Sequence, residues 1–170
     1  MKKKSTLYIT QTAVIAALYV ALTYASNSLG LAYNAIQFRL SEILTVLPVF
    51  VPSAIPGLVI GCIISNLSSP FGVIDIVCGS LATLLAAVCT YWLRSVRIKG
   101  LPLLATLPPV IFNGIIIGLE ICYLGNKTAE LFLVSALEVV VGEIVMCVII
   151  GSAFIKAVER THIFDRINKF

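Results

Sequence analysis

The sequence predicts an all-α integral membrane protein of six transmembrane helices with both termini cytoplasmic. Three observations carry that expectation. The 170 residues are 59% hydrophobic and only 12% charged, where a soluble domain carries about 25% charge. The apolar residues fall into six runs separated by polar, proline or glycine breaks. Ten of the twelve Lys/Arg residues lie at one set of run ends: Lys2, Lys3, Lys4, Arg94, Arg97, Lys99, Lys156, Arg160, Arg166 and Lys169. Membrane proteins concentrate positive charge this way on the cytoplasmic side. A single domain, 1–170, uses the whole chain. The net charge of +4 is spread over loop ends instead of lining one face, so no nucleic-acid partner is expected.

The first helix is expected over 7–25. Its triple-lysine start resembles a signal peptide. The apolar run is about a full span, however, and Ser26-Asn27-Ser28 is a poor cleavage match, so the helix is read as retained. Ala13, Ala17 and Ala21 recur at spacing four, with Ala16 beside them. Small residues at that spacing let another helix approach closely, either within the bundle or on a second protein. The loop 26–38 mixes Asn27, Tyr33, Asn34 and Gln37 with apolar groups, and ordered loops of such length are often lids.

The second helix is expected over 40–51, ending in the proline-rich break 52–57. The third, 58–67, stops at Ser68-Ser69-Pro70. Each is shorter than the roughly 20 residues a straight span needs. Two short tilted helices, or a re-entrant pair between four full crossings, both satisfy the pattern. Six crossings leave only Arg39 and Lys127 on the outer side. The remaining helices are expected over 73–93, 101–123 and 131–158. The amphipathic tail 155–170 extends the last one along the membrane surface. Cys62, Cys78, Cys89, Cys122 and Cys147 lack metal-site spacing and read as small apolar fillers.

Six of the eight carboxylates fall at the outer ends or inside the runs: Glu42, Asp75, Glu120, Glu130, Glu138 and Glu143. Glu138 and Glu143 lie about 10 and 18 Å into the sixth run by helical rise. A charge at such depth costs at least about 2.5 kcal/mol, so it faces a partner, a bundle interior or a wet cavity. Asn113 and Glu120, seven apart, share one face of the fifth helix. Arg39 and Glu42, three apart, can form a local ion pair. Two outer cations do not neutralise six acids, and that deficit suits a cationic or donor-rich ligand, one or two protonated carboxyls, or an internal ion-pair and hydrogen-bond network of a structural membrane subunit. Gln37, Asn66 and Ser65 are further polar candidates. Phe38, Tyr24, Tyr33, Phe71 and Tyr123 are stacking surfaces or interfacial anchors.

No His-Glu-x-x-His, Gly-x-Ser-x-Gly or paired-aspartate motif appears, so no enzyme activity and no metal are expected. His162 lies in the tail. Without a Walker A loop, any ATP use belongs to another chain. Asn126-Lys127-Thr128 fits a glycosylation sequon, a match of low specificity.

Gln37-Phe38-Arg39-Leu40-Ser41-Glu42-Ile43-Leu44 is the most specific block of the chain. With Pro48, Pro56-Gly57, Asn66, Phe71-Gly72-Val73-Ile74-Asp75 and Gly79-Ser80-Leu81-Ala82-Thr83, it resembles the QueT family of queuosine-precursor transporters. More broadly, the lysine-rich start, alanine stripe and long outer loop resemble a substrate-binding S-component of an energy-coupling factor transporter. The resemblance covers essentially the whole chain. It implies a multi-pass protein of the bacterial cell membrane with a substrate pocket near the outer face, capped by the loop after the first helix. It implies as partners a transmembrane coupling protein and two cytoplasmic ATPases, with ATP used there and no cofactor in this chain. Ala13, Ala17 and Ala21 become the surface for the coupling protein. The implied cargo is a 7-deazaguanine with an aminomethyl arm, or queuine. Its N1–H and 2-amino donors match a carboxylate in bidentate fashion. Its O6 needs a donor such as Arg39, Asn66 or Asn113. Glu138 or Glu143 is expected to read the ring, and Glu120, Asp75 or Glu42 to meet the arm.

Overall fold

Apolar runs in lipid must satisfy their backbone groups internally, which leaves helices or closed barrels. In the computed structural model the described residues are 2–32, 36–125 and 127–164, with side chains from 5 onward. Among them all the regular secondary structure is helical, apart from one bridge between Ile98 and Leu101. Helix α1 spans Lys2–Ser28, a 3-10 helix Leu40–Val49, α2 Ala54–Asn66 and α3 Val73–Leu93. A 3-10 turn, Leu103–Thr106, leads into α4, Leu107–Leu124. Helix α5, Ala129–Glu143, continues through a π-helix, Ile144–Ile150, into α6, Gly151–Thr161.

Four stretches are long and apolar enough to cross a membrane: Ser5–Ser28, Val73–Leu93, Leu103–Leu124 and Ala129–Thr161. The fourth expected helix matches α3, and the others shift. The second run is a 3-10 helix and not an α-helix. The third begins at Ala54, with Pro56 in its first turn, where a missing N–H costs nothing. The sixth is interrupted by the π segment. The sequon Thr128 instead caps α5, its hydroxyl accepting from the Leu131 N–H at 3.2 Å.

The 3-10 geometry resolves the length problem of the second run. A 3-10 helix rises about 2.0 Å per residue, so ten residues cover about 20 Å. The run from Leu40 to Ser53, this helix and the turn after it, is tied to α1 at points fourteen residues apart. The Leu40 N–H donates to the Ser26 hydroxyl at 2.8 Å, and the Thr12 hydroxyl donates to the Ser53 carbonyl at 3.1 Å. Fourteen α-helical residues also cover about 21 Å. The stretched helix therefore runs antiparallel to α1 for that whole length. Helix α2 then returns beside α1, where a Cβ on Gly61 would meet the Tyr19 Cβ at 2.7 Å and the Ala16 carbonyl at 3.0 Å. Only a glycine allows that approach.

The 3-10 helix is the central element, packed against α1, α2, α3 and the π-helix. Tyr19, Leu44, Leu47, Val51, Leu58 and Cys62 form the larger apolar core around it. Basic ends gather at one end of the bundle. Arg97 Nη2 lies 2.8 Å from Glu159 Oε1, and the Phe50 and Phe164 rings stack at 5.2 Å. At the opposite end lie Ser26, Arg39, Asn66 and Asp75.

Candidate functional site

The buried face of α1 is marked by Ile15, Tyr19, Thr23 and Ser26. Its polar members are all engaged. Thr23 donates to the Ser41 hydroxyl at 2.8 Å, and Tyr19 donates to Glu42 Oε1 at 2.6 Å. Glu42 is 4% exposed, and its Oε2 has no hydrogen-bond partner among the described residues. From α4, the Asn113 amide donates to Glu143 Oε1 at 2.7 Å. From the π-helix, Cys147 donates to Glu143 Oε2 at 3.0 Å, and its sulfur lies 3.4 Å from the Thr45 hydroxyl. One ligand atom each from Glu42, Glu143 and Cys147 lies within 4.8 Å of the others. Among the described residues, this is the trio that brings three possible metal-ligand atoms together, and no spacing motif announces it.

Tyr19, Glu42, Asn113 and Glu143 line a small internal cavity together with Gln37, Arg39, Thr83, Ile117 and Met146. Its volume is about 20 Å³, room for about one water molecule. The Gln37 backbone closes it from the outer side. That carbonyl rests directly on Gly142, in the space a Cβ would need. A cavity of that size is too small for a bicyclic ligand, which needs the surrounding groups to move apart.

Arg39 joins the cavity to a second polar layer. It is 8% exposed, with Nε donating to the Ala32 carbonyl at 3.2 Å and Nη2 lying 3.8 Å from Asp75 Oδ2. The Asn66 amide donates to the Asp75 carbonyl at 3.0 Å, while Asn66 Oδ1 has no partner among the described residues. Glu120, 4% exposed, has no hydrogen-bond partner on either oxygen among the described residues. Along α4 it stands seven residues, about 10 Å, outward of Asn113.

Of the expected site residues, Gln37, Arg39, Glu42, Asn113 and Glu143 meet at the cavity, and Asn66, Asp75 and Glu120 sit in the outer layer. The guanidinium of Arg39 reaches Asp75, while Glu42, three residues on, takes the Tyr19 hydroxyl. Glu138 is half-buried and does not line the cavity. Phe38 packs against the apolar group of Val110, Met146 and Cys147. Tyr33 lies outside the described residues. Ala13, Ala17 and Ala21 are exposed on the outer face of α1, while Ala16 is buried. Tyr19 and Cys147 are site residues the sequence reading missed. Cys147 is no apolar filler, since its thiol is bonded to a carboxylate. For Tyr19 a signal existed: polar groups recur at 19, 23 and 26, one helical face opposite the alanines.

The arrangement presents acceptors from two buried carboxylates and donors from one guanidinium and one amide. It fits a ligand with a donor-rich edge, a cationic group or both.

A family model described as QueT transporter matches residues 9–160. A relative named queuosine precursor transporter QueT, from Lactococcus lactis subsp. cremoris strain MG1363, is 43% identical over 84 residues. That match covers 49% of this chain and 49% of the relative, so it spans about half of each. No solved structure matches. With an all-helical apolar bundle, a polar cavity buried within it and a family match over most of its length, the chain belongs to the QueT transporter family.

Proposed function

We propose that this chain is the substrate-binding subunit of an energy-coupling factor transporter that imports a 7-deazaguanine precursor of queuosine. The observation that carries the reading is the buried acceptor array of Glu42 and Glu143 beside Asn113 and Arg39. A guanine-type edge offers adjacent N1–H and 2-amino donors to a carboxylate, and its O6 accepts from an amide or guanidinium. Glu143, held by Asn113, is the group for that edge. The name of the Lactococcus relative supports the same cargo class.

In this reading the chain crosses the bacterial cell membrane six times with both termini inside. The 3-10 helix and α2 supply the second and third crossings, each about 20 Å long. The gathering of Arg97, Lys156 and Arg160 at one end supports that orientation. ATP is hydrolysed by two partner ATPases, and a transmembrane coupling protein docks on Ala13, Ala17 and Ala21, whose outward placement leaves them available.

The test is thermal stabilisation of the purified protein by a panel of deazaguanines and vitamins. Stabilisation by 7-aminomethyl-7-deazaguanine or queuine is expected. A response to a different vitamin, with none to either of these, overturns the cargo.

A further inference from the structure

The basic end of the bundle carries a cleft that the transport reading leaves unused. The linker between α3 and α4 turns sharply there. Ile98 and Leu101 exchange N–H···O bonds at 2.8 and 3.1 Å. Both residues between them have positive φ, Lys99 at 51° and Gly100 at 86°. A type I′ turn requires that backbone, and its first central position is usually asparagine, aspartate or glycine; lysine is strained there. Arg97 fastens the turn to α6. Its Nη1 donates to the Gly100 carbonyl at 2.8 Å and its Nη2 to Glu159 Oε1 at 2.8 Å. Between turn and helix lies an open cleft of about 420 Å³, lined by Lys99, Lys156, Glu159, Arg160 and His162 among others.

Electrostatics alone would pull this arrangement apart. Lys156 and Arg160 stand four apart on one face of α6, a spacing at which like charges repel. Lys99 adds a third positive charge across the cleft. Glu159, the carboxylate of the lining, is already taken by Arg97. Among the described residues no ion pair reaches the other three cations. The segment 165–170, outside the described residues, has one acid, Asp165, against two bases, Arg166 and Lys169, so it does not offset the excess. The cleft also sits at a membrane surface. Helix α6 ends a stretch long and apolar enough to cross a bilayer, Ala129–Thr161. Trp92, in the last turn of α3, is 71% exposed, and tryptophan settles at headgroup level. Three cations held together at that level call for an anion that the membrane itself supplies.

We propose that this cleft binds the phosphodiester headgroup of an anionic phospholipid, with Lys99, Lys156 and Arg160 as its contacts. Basic pockets between membrane helices hold such headgroups. Lys and Arg donate charge-assisted hydrogen bonds to phosphate oxygens. The strained turn then has a purpose: it sets Lys99 against α6, and Arg97 keeps it there. The bound lipid joins the α3–α4 turn to the end of α6. The proposal requires a membrane protein and is independent of the cargo.

The full chain in detergent is titrated with dioctanoyl phosphatidylglycerol, dioctanoyl phosphatidylcholine and inorganic phosphate, and its melting temperature is read. The variant is Lys99→Asn with Lys156→Gln. Asparagine suits the turn better than lysine, and glutamine relieves Arg160 of a like charge, so the variant without lipid should melt no lower than wild type. Wild type should respond to phosphatidylglycerol at about tenfold lower concentration than to phosphatidylcholine. The variant should need about tenfold more phosphatidylglycerol, having lost two charges near the headgroup. Arg94→Gln removes a charge from the same end of the bundle, where the guanidinium lies 3.6 Å over the Tyr91 ring and outside the cleft. It should shift the response less than twofold. A comparable loss in Arg94→Gln shows only a diffuse positive potential and overturns the site, as does an equal response to both lipids. A response to inorganic phosphate as strong as to phosphatidylglycerol overturns the lipid in favour of a free anion. If the variant keeps its lipid response but loses ATP-driven uptake in cells, the cleft serves a partner protein and the lipid assignment falls.

Discussion

Glu143 is the residue on which the site's chemistry turns. It is the buried carboxylate held from two sides, by the Asn113 amide at 2.7 Å and the Cys147 thiol at 3.0 Å. That grip orients its oxygens before any ligand arrives, which lowers the ordering cost of binding. Replacing it by glutamine should weaken deazaguanine binding by about 10–100-fold, the range for one charged hydrogen bond. Glu138→Gln, five residues away and outside the cavity, should leave the affinity unchanged; isothermal titration of both variants checks the pair. From sequence the two glutamates were indistinguishable, since both are charges deep in one apolar run. Helix phase separates them. Ser135, Val139, Gly142 and Glu143 form the buried stripe of α5, and Glu138 falls beside it.

At the scale of elements, three helical geometries meet at the site. The 3-10 helix brings Glu42 and Thr45, the end of α5 brings Glu143, and the π-helix brings Cys147. Long 3-10 runs and π segments are both uncommon and tend to mark functional places. Here they sit against each other in the centre of the bundle. Hydropathy located the apolar runs but carries no signal for helix type, which is why the 40–51 run seemed too short. The outer closure is also an element-level feature. Gly142 lets the Gln37 backbone rest on α5, so Gly142→Ala should lift that contact. Overpacking of this kind costs about 1–3 kcal/mol. Ligand release should therefore quicken about tenfold, measurable by stopped-flow displacement, with the fold retained.

For the molecule as a whole, α1 presents two unlike faces. Tyr19 bonds Glu42 inside, while Ala13, Ala17 and Ala21 stay exposed outside. The sequence left the stripe undecided between internal packing and docking. The close internal approach is in fact made by Ala16 and Tyr19 against Gly61. Ala17→Trp should then abolish ATP-driven uptake in cells while ligand affinity of the purified chain stays within twofold of wild type. Unchanged uptake removes the stripe as a docking surface. The proposed topology, six crossings with both ends inside, makes a further prediction. In intact cells a membrane-impermeant thiol reagent should label Lys127→Cys and not Lys99→Cys.

Composition and charge sorting by themselves determined the class, the helical architecture and the two unlike ends of the bundle, because lipid demands internal backbone pairing and loops keep their charge bias. The Gln37–Leu44 block carried the family. Tertiary structure decided which acids act together. Glu42, Asn113 and Glu143 come from three elements spread over a hundred residues, and their convergence depends on a helix stretched by 3-10 geometry. It also decided the partner of Arg39, since the guanidinium reaches across to α3. Charges buried in a low-dielectric interior are arranged by the neighbours that packing supplies, and one-dimensional spacing does not record those neighbours.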